Sequence, residues 1–438
     1  MYDIIIGRLP EDLKRYGSEG TVYLGKHYVK MGRTTSMSNK ILLDVIRSHV
    51  VFVCGKRGGG KSYTMGVIAE GITDLPAKIK NNMAVIMLDT MGVYWTMKYP
   101  NKRDELLLEQ WGIEAKGFDI NIYTPVGYYQ EYKDKGVPTD ASFSIKPGEL
   151  DGNDWCLTFD VSPNDPIGVL IEKVIHGLRK ERKEFSLDDI INAIKNSKAE
   201  ENVKNATLNL FGNASTWGIF DIRGTPLSEL ARPGQVTVLD VSCYATLPGS
   251  WRIKSLVVGL VAEKLFIQRM RARKKEEYQK VHKSVYYFSE EEIEKLDFPM
   301  VWLVIDEAHE LLPREGKTLA SEPLKTILRE GRQPGISLIL ASQQPGKIHT
   351  DVMTQADTII SHRITAKIDT DALGALMQSY LRGSLDKYLD NLPRVQGAAI
   401  ILDDSNEKMY PIQVRPRMSW HGGEAPIAIQ EKEKIFGD

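Results

Sequence analysis

The segment Gly55-Lys-Arg-Gly-Gly-Gly-Lys-Ser62 constrains this chain more than any other. It fits G-x-x-x-x-G-K-[ST], the phosphate-binding P-loop. An apolar run, Val50 to Cys54, precedes it and a helix-like stretch, Tyr63 to Glu70, follows. That context matters. Backbone N–H groups of such a loop wrap a polyphosphate, and the next helix aims its positive end at the same anion. A Cβ would block the close approach, which accounts for Gly55, Gly58, Gly59 and Gly60 around Arg57. Lys61 is expected to reach the β- and γ-phosphates, Ser62 to ligate Mg²⁺, and Tyr63 to complete the nucleotide contacts. The expected ligands are ATP and Mg²⁺.

A second motif sharpens the first. Val301 to Ile305 reads as a buried strand that delivers Asp306 and Glu307 at its C-terminal end, followed by Ala308 and His309. Open α/β sheets place ligands at that end of their strands. Asp306 is expected to hold the Mg²⁺ that Ser62 touches, and Glu307 to polarise the water that attacks the γ-phosphate. Asp89, closing the apolar run Met83 to Leu88, is a further metal candidate. Ser337 to Ser342 is another strand, and Gln343 at its tip is placed to sense the γ-phosphate, with Gln344 second. Arg332, in a Gly-flanked loop, and then Arg329 are candidates for an arginine that completes a neighbouring subunit's site.

Strand-like and helix-like segments alternate along the chain, which argues for a mostly parallel sheet with helices on both faces. Further strands are expected at Thr21 to Leu24, Lys26 to Lys30, Ile41 to Val45, Trp155 to Asp160, Gln235 to Ser242, Thr358 to Ser361 and Gly397 to Asp403. Residues 165–232 read as a helical insertion, with Ser186 a good N-cap. A long helix is expected from Ser250 to Tyr278. It ends in a basic tract, Arg269 to Lys275, whose neighbours Glu276 and Glu277 mark it as a solvated face.

At 438 residues the chain has room for one large α/β domain with additions. Its net charge of −1 neither supports nor excludes nucleic-acid binding, because basic residues can be concentrated in one place. No run of eighteen apolar residues appears, and the N-terminus lacks the basic start of a signal peptide. Cys54, Cys156 and Cys243 are far apart and sit in or beside apolar runs, as reduced buried residues do. The expectation is a cytoplasmic protein with no membrane partner.

An ordered set of stretches resembles the HerA-type ATPases of the FtsK/HerA superfamily. It comprises Asn39 to His49 leading into the P-loop, Leu88 to Tyr94, and Arg232 to Ser242. It continues with Asp306 to His309, Arg329 to Arg332, Ser342 to Pro345, and Val414 to Gly423. The resemblance implies a RecA-like P-loop NTPase core with a helical insertion, here residues 46–412. It implies a small N-terminal β-barrel, which would be truncated within residues 1–45, and a C-terminal arm, residues 413–438, that braces a neighbour. It also implies a homo-hexamer with an arginine supplied in trans, double-stranded DNA as the track, and a nuclease partner. That partner would be NurA-like in DNA-end processing, or an effector in antiphage defence. One departure stands out: the family's Asp-Pro-His-Gly-Glu-Tyr is here Asp89-Thr-Met-Gly-Val-Tyr94, so its His and Glu are lost. The resulting expectation is an ATP-hydrolysing motor that translocates along or unwinds duplex DNA. The alternative is an ATP-dependent ring scaffold that activates an effector nuclease with little translocation.

Overall fold

The apolar runs become the centre of one mixed sheet. The computed structural model describes residues 3–31, 34–182, 184–247, 249–286, 296, 298–377, 388–389 and 392–423. Its strands are β1 (Ile4–Ile6), β2 (Thr21–Met31), β3 (Thr34–Asp44), β4 (Val50–Cys54), β5 (Met83–Asp89), β6 (Ile120–Pro125), β7 (Ala141–Phe143), β8 (Val236–Asp240), β9 (Met300–Ile305), β10 (Ile336–Ser342), β11 (Thr358–His362), β12 (Ala398–Asp403) and β13 (Lys408–Val414). Their order is β1-β3-β2-β13-β12-β11-β4-β10-β9-β5-β8-β6-β7. From β11 to β7 every pairing is parallel.

Both faces of this parallel part are covered, so its strands are apolar on both sides. In β4, Phe52 and Cys54 pack into one cluster and Val51 and Val53 into the other. The first cluster includes the helical insertion (Pro166–Glu181, Leu187–Lys195, Glu201–Ser215) and the long helix, which extends beyond Tyr278 to Tyr286. The second includes the helix that leaves the P-loop, Lys61–Thr73. Ser186 caps Leu187–Lys195 as expected, accepting from Asp189 N.

Three readings of the sequence are corrected. Trp155 to Asp160 is not a strand: Gly152–Phe159 is a helix, started by a reciprocal capping box between Asp151 and Asp154. Its Trp155 and Phe159 stack one turn apart at 5.4 Å, a helical pairing that β-prone residue types disguise. Thr21 to Lys30 is one strand, not two. Gly25 falls at a register shift with β3, where a Cβ would lie 2.1 Å from the Gln413 carbonyl oxygen. Finally, β13 follows β12. Pro411 hid it, but β2 bonds only Ile412 to Val414, so the missing N–H falls where β13 has one partner.

The N-terminal β region is an open extension: β2 and β3 form a hairpin, β1 lines its far edge, and β13 ties it to the core. Residues 415–422 then run along the P-loop helix of the same chain. Residues 424–438 of the expected arm lie outside the described residues. Among the described residues, no helix is long and apolar enough to cross a membrane.

Candidate nucleotide site

Strand order assembles the site. The P-loop follows β4, the acid pair follows β9, and β10 lies between them, ending at Ser342 with Gln343 next. All three segments therefore leave the sheet at its C-terminal edge.

The P-loop rests on a histidine that sequence reasoning missed. His362, the last residue of β11, is fully buried beneath the glycines. A Cβ on Gly55 would stand 2.6 Å from His362 Cβ, and one on Gly60 3.2 Å from its Cε1. Gly60 also has φ 111°, a conformation L side chains rarely adopt. His362 Nδ1 lies 3.1 Å from the Ala398 carbonyl oxygen, so it carries the proton, and Nε2 accepts from Thr64 Oγ1 at 2.9 Å. Burial pulls its pKa down to about 4, so the ring stays neutral. Lys56 N donates to the Arg363 carbonyl oxygen at 3.1 Å. No local motif marks His362. Finding it requires knowing that β11 neighbours β4.

Lys61 is buried, with Nζ donating to the carbonyl oxygens of Gly55 (3.1 Å) and Lys56 (3.4 Å). Burial lowers its pKa, while Asp306 and Glu307 oppose the shift. Arg57 and Gly58 are exposed at the loop tip, and Gly59 is partly so. Ser62 Oγ donates to Asp306 Oδ2 at 2.7 Å. Asp306 Oδ1 accepts from Glu307 N at 2.8 Å. Glu307 holds a left-handed backbone, φ 50°, uncommon for a non-glycine residue. Its Oε1 accepts from Gln343 Nε2. Its Oε2 is buried and has no hydrogen bond among the described residues. The structure thus brings together Lys61, Ser62, Asp306, Glu307 and Gln343. Gln344 is placed differently, its backbone N–H donating to Ser342 Oγ at 3.0 Å.

Four candidates make other contacts or lie exposed. Asp89 is engaged by its own loop: Oδ1 accepts from Met91 N (3.2 Å) and Gly92 N (2.8 Å), and Oδ2 from Tyr94 N (2.8 Å). Burial, and then neighbouring Asp240, push its carboxyl up to about 7 against those three donors. Asp89 thereby pins this loop. The loop in turn touches the P-loop, because Tyr94 Oη donates to the Ser62 carbonyl oxygen at 3.4 Å. Tyr63 turns toward the C-terminal segment, its hydroxyl accepting from Arg417 N at 2.7 Å and its ring meeting His421 edge-on. Arg329 is exposed and paired with Asp351 at 2.6 Å. Arg332 is exposed in the turn before β10. That turn is at the far end of a strand about 20 Å long, so Arg332 does not serve the Lys61 site of its own chain.

The donor set fits a hard cation: Ser62 Oγ and Asp306 Oδ2 converge as neutral and anionic oxygens beside the phosphate loop, the combination Mg²⁺ takes with phosphate oxygens.

With this geometry in view, comparison with known proteins decides the family. The model of the central domain of helicase HerA matches residues 29–247, half of the chain. The chain belongs to the HerA family. It is 32% identical over 149 residues to the DNA double-strand break repair helicase HerA of Pyrococcus furiosus, covering 32% of this chain and 26% of that protein. To the HerA helicase of Sulfurisphaera tokodaii it is 21% identical over 351 residues, covering 79% and 60%. The match thus spans at most about three-fifths of these two HerA relatives. Among solved structures, VirB4 of Thermoanaerobacter pseudethanolicus superposes with a TM-score of 0.55 at 15% identity, covering 91% of this chain and 96% of that one. This likeness is one of fold. It agrees with the P-loop NTPase architecture that the HerA family shares.

Proposed function

We propose that this HerA-family chain hydrolyses ATP at the P-loop and spends the energy moving along double-stranded DNA. The observation that carries the reading is the connected set Ser62–Asp306–Glu307–Gln343. The loop backbone and Lys61 bind and orient the phosphates. Ser62 and Asp306 would hold Mg²⁺, which when bound offsets charge on the phosphates. Glu307 Oε2, buried and unbonded, is the free acceptor for a proton of the attacking water. Gln343 holds the other oxygen, so the carboxylate has one orientation to offer. As water's oxygen joins the γ-phosphorus, the bond to the ADP oxygen breaks, and Lys61 lies buried beside the loop that receives the charge.

The wider reading rests on the family. Six copies form a ring, and Arg332, with Arg329 behind it, completes the neighbour's site. The exposure of both residues, and the distance of Arg332 from its own Lys61, support that assignment. Relatives named as DNA double-strand break repair helicases support duplex DNA as the track; a nuclease as the working partner follows from the family resemblance alone. The test is steady-state ATP turnover with and without kilobase-length duplex DNA. Stimulation of several-fold that fades steeply as salt rises supports the motor. Turnover indifferent to DNA would leave an ATPase that is not a DNA motor.

A further inference from the structure

The free oxygen of Glu307 has one neighbour that the mechanism above does not use. His309 Nδ1 stands 3.5 Å from Glu307 Oε2 and 3.2 Å from Ser342 Oγ. The first distance is too long for a hydrogen bond and the second is not. Ser342 is the fully buried last residue of β10, and its Oγ already accepts from Gln344 N. His309 lies in the short turn Ala308–Glu310, directly after the left-handed Glu307. That turn is fixed at both ends. Ala308 is fully buried, and Glu310 Oε2 accepts from Lys254 Nζ of the long helix at 3.0 Å. The imidazole therefore bonds the tip of β10, with a small movement separating it from the glutamate.

We propose that His309 is a positioning residue for Glu307, its Nδ1–H passing from Ser342 Oγ to Glu307 Oε2 to set the carboxylate for attack. Gln343 on Oε1 and His309 on Oε2 then form a clamp from β10 and from the acid strand's own turn. A shift of β10 then reaches the glutamate directly through Gln343 and, by making or releasing the Ser342 contact, through His309. This inference rests on the reading of Glu307 as the base.

The experiment compares ATP turnover of His309→Ala, His309→Asn and His309→Gln with wild type, beside Glu307→Gln, with thermal melting of each. Asn places an N–H near the Nδ1 position, whereas Gln places it near Nε2. The expected result is a tenfold or greater loss of kcat in His309→Ala with KM for ATP within twofold. Most of that loss returns in His309→Asn, less returns in His309→Gln, and melting is unchanged. In a Glu307→Gln background, His309→Ala should add nothing. Turnover of His309→Ala within twofold of wild type, or failure of Asn to outperform Gln, would overturn the inference while Glu307→Gln remains inactive. Normal turnover by Glu307→Gln would instead remove the base reading, and the inference with it.

Discussion

Glu70, on the helix that leaves the P-loop, and Glu307, at the tip of β9, have opposite surroundings. Glu70 is fully buried and saturated. Its Oε1 accepts from Arg417 Nε (2.9 Å), Ser419 N (3.1 Å) and Ser419 Oγ, and its Oε2 from Arg415 Nη1 (3.1 Å) and Met418 N (3.0 Å). Burial pushes its pKa up, but Arg417 and Arg415 outweigh that and hold it below the usual range. Glu307 has one oxygen bonded and the other free, on a backbone that is itself uncommon. A carboxylate whose lone pairs are all occupied is a fastener. One that keeps a buried oxygen unoccupied bears a desolvation cost, which is compatible with a catalytic role. Glu70 fastens residues 415–419 to the P-loop helix, and Glu307 is left open to act.

The comparison can be broken by substitution. Glu70→Ala leaves two buried guanidiniums unpaired and should cost about 3–5 kcal/mol of stability, the range for breaking a buried ion pair. Thermal or urea unfolding measures it. A loss below about 1 kcal/mol would mean that the C-terminal segment is not fastened there. The acid side has a sign. Because the folded-state pKa of Glu70 is depressed, its contribution is present above the ordinary glutamate value and disappears as pH falls through the lower one.

A second pair sharpens the point at the other end of the sheet. His49 precedes β4, with Nε2 3.1 Å from Asp44 Oδ2 and Nδ1 3.0 Å from Asp357 Oδ2. Burial lowers its pKa, yet hydrogen bonds to Asp357 and Asp44 prevail and raise it to about 9. His362, without a carboxylate partner, is driven the other way. Stability from His49 is therefore complete below pH 6.5 and lost as pH rises to about 9, a change on the order of 3 kcal/mol. Melting across that range should fall in wild type and flatten in His49→Gln. An equal slope in both would reject the charged triad.

The smallest expected effect is at the surface. Arg329→Ala removes an exposed pair with Asp351 and should change stability by less than about 1 kcal/mol. A large loss of turnover with unchanged melting would instead place Arg329 in the turnover machinery beside or in place of Arg332.

The chemistry at strand tips was legible in the sequence because it is local: an apolar run delivers its glycines or its acids directly to the sheet edge. Gln343 was legible because its strand ends beside those acids. The supporting shell was not. Glu70 meets Arg415 across 345 positions, and no periodicity links them. His362 lies under the P-loop only because β11 neighbours β4, a fact of strand order. The loop that folds back onto both oxygens of Asp89 was likewise hidden, because an acid at a strand tip reads in sequence only as a metal candidate.

The most direct test of the account is phosphate release by Glu307→Gln, measured beside wild type on folded protein with ATP-analogue binding checked in parallel. Nucleotide affinity and melting should match wild type, while turnover falls about 100-fold or more, the range lost with a general base. Turnover within a few-fold of wild type would contradict it, and the free oxygen of Glu307 would need another explanation.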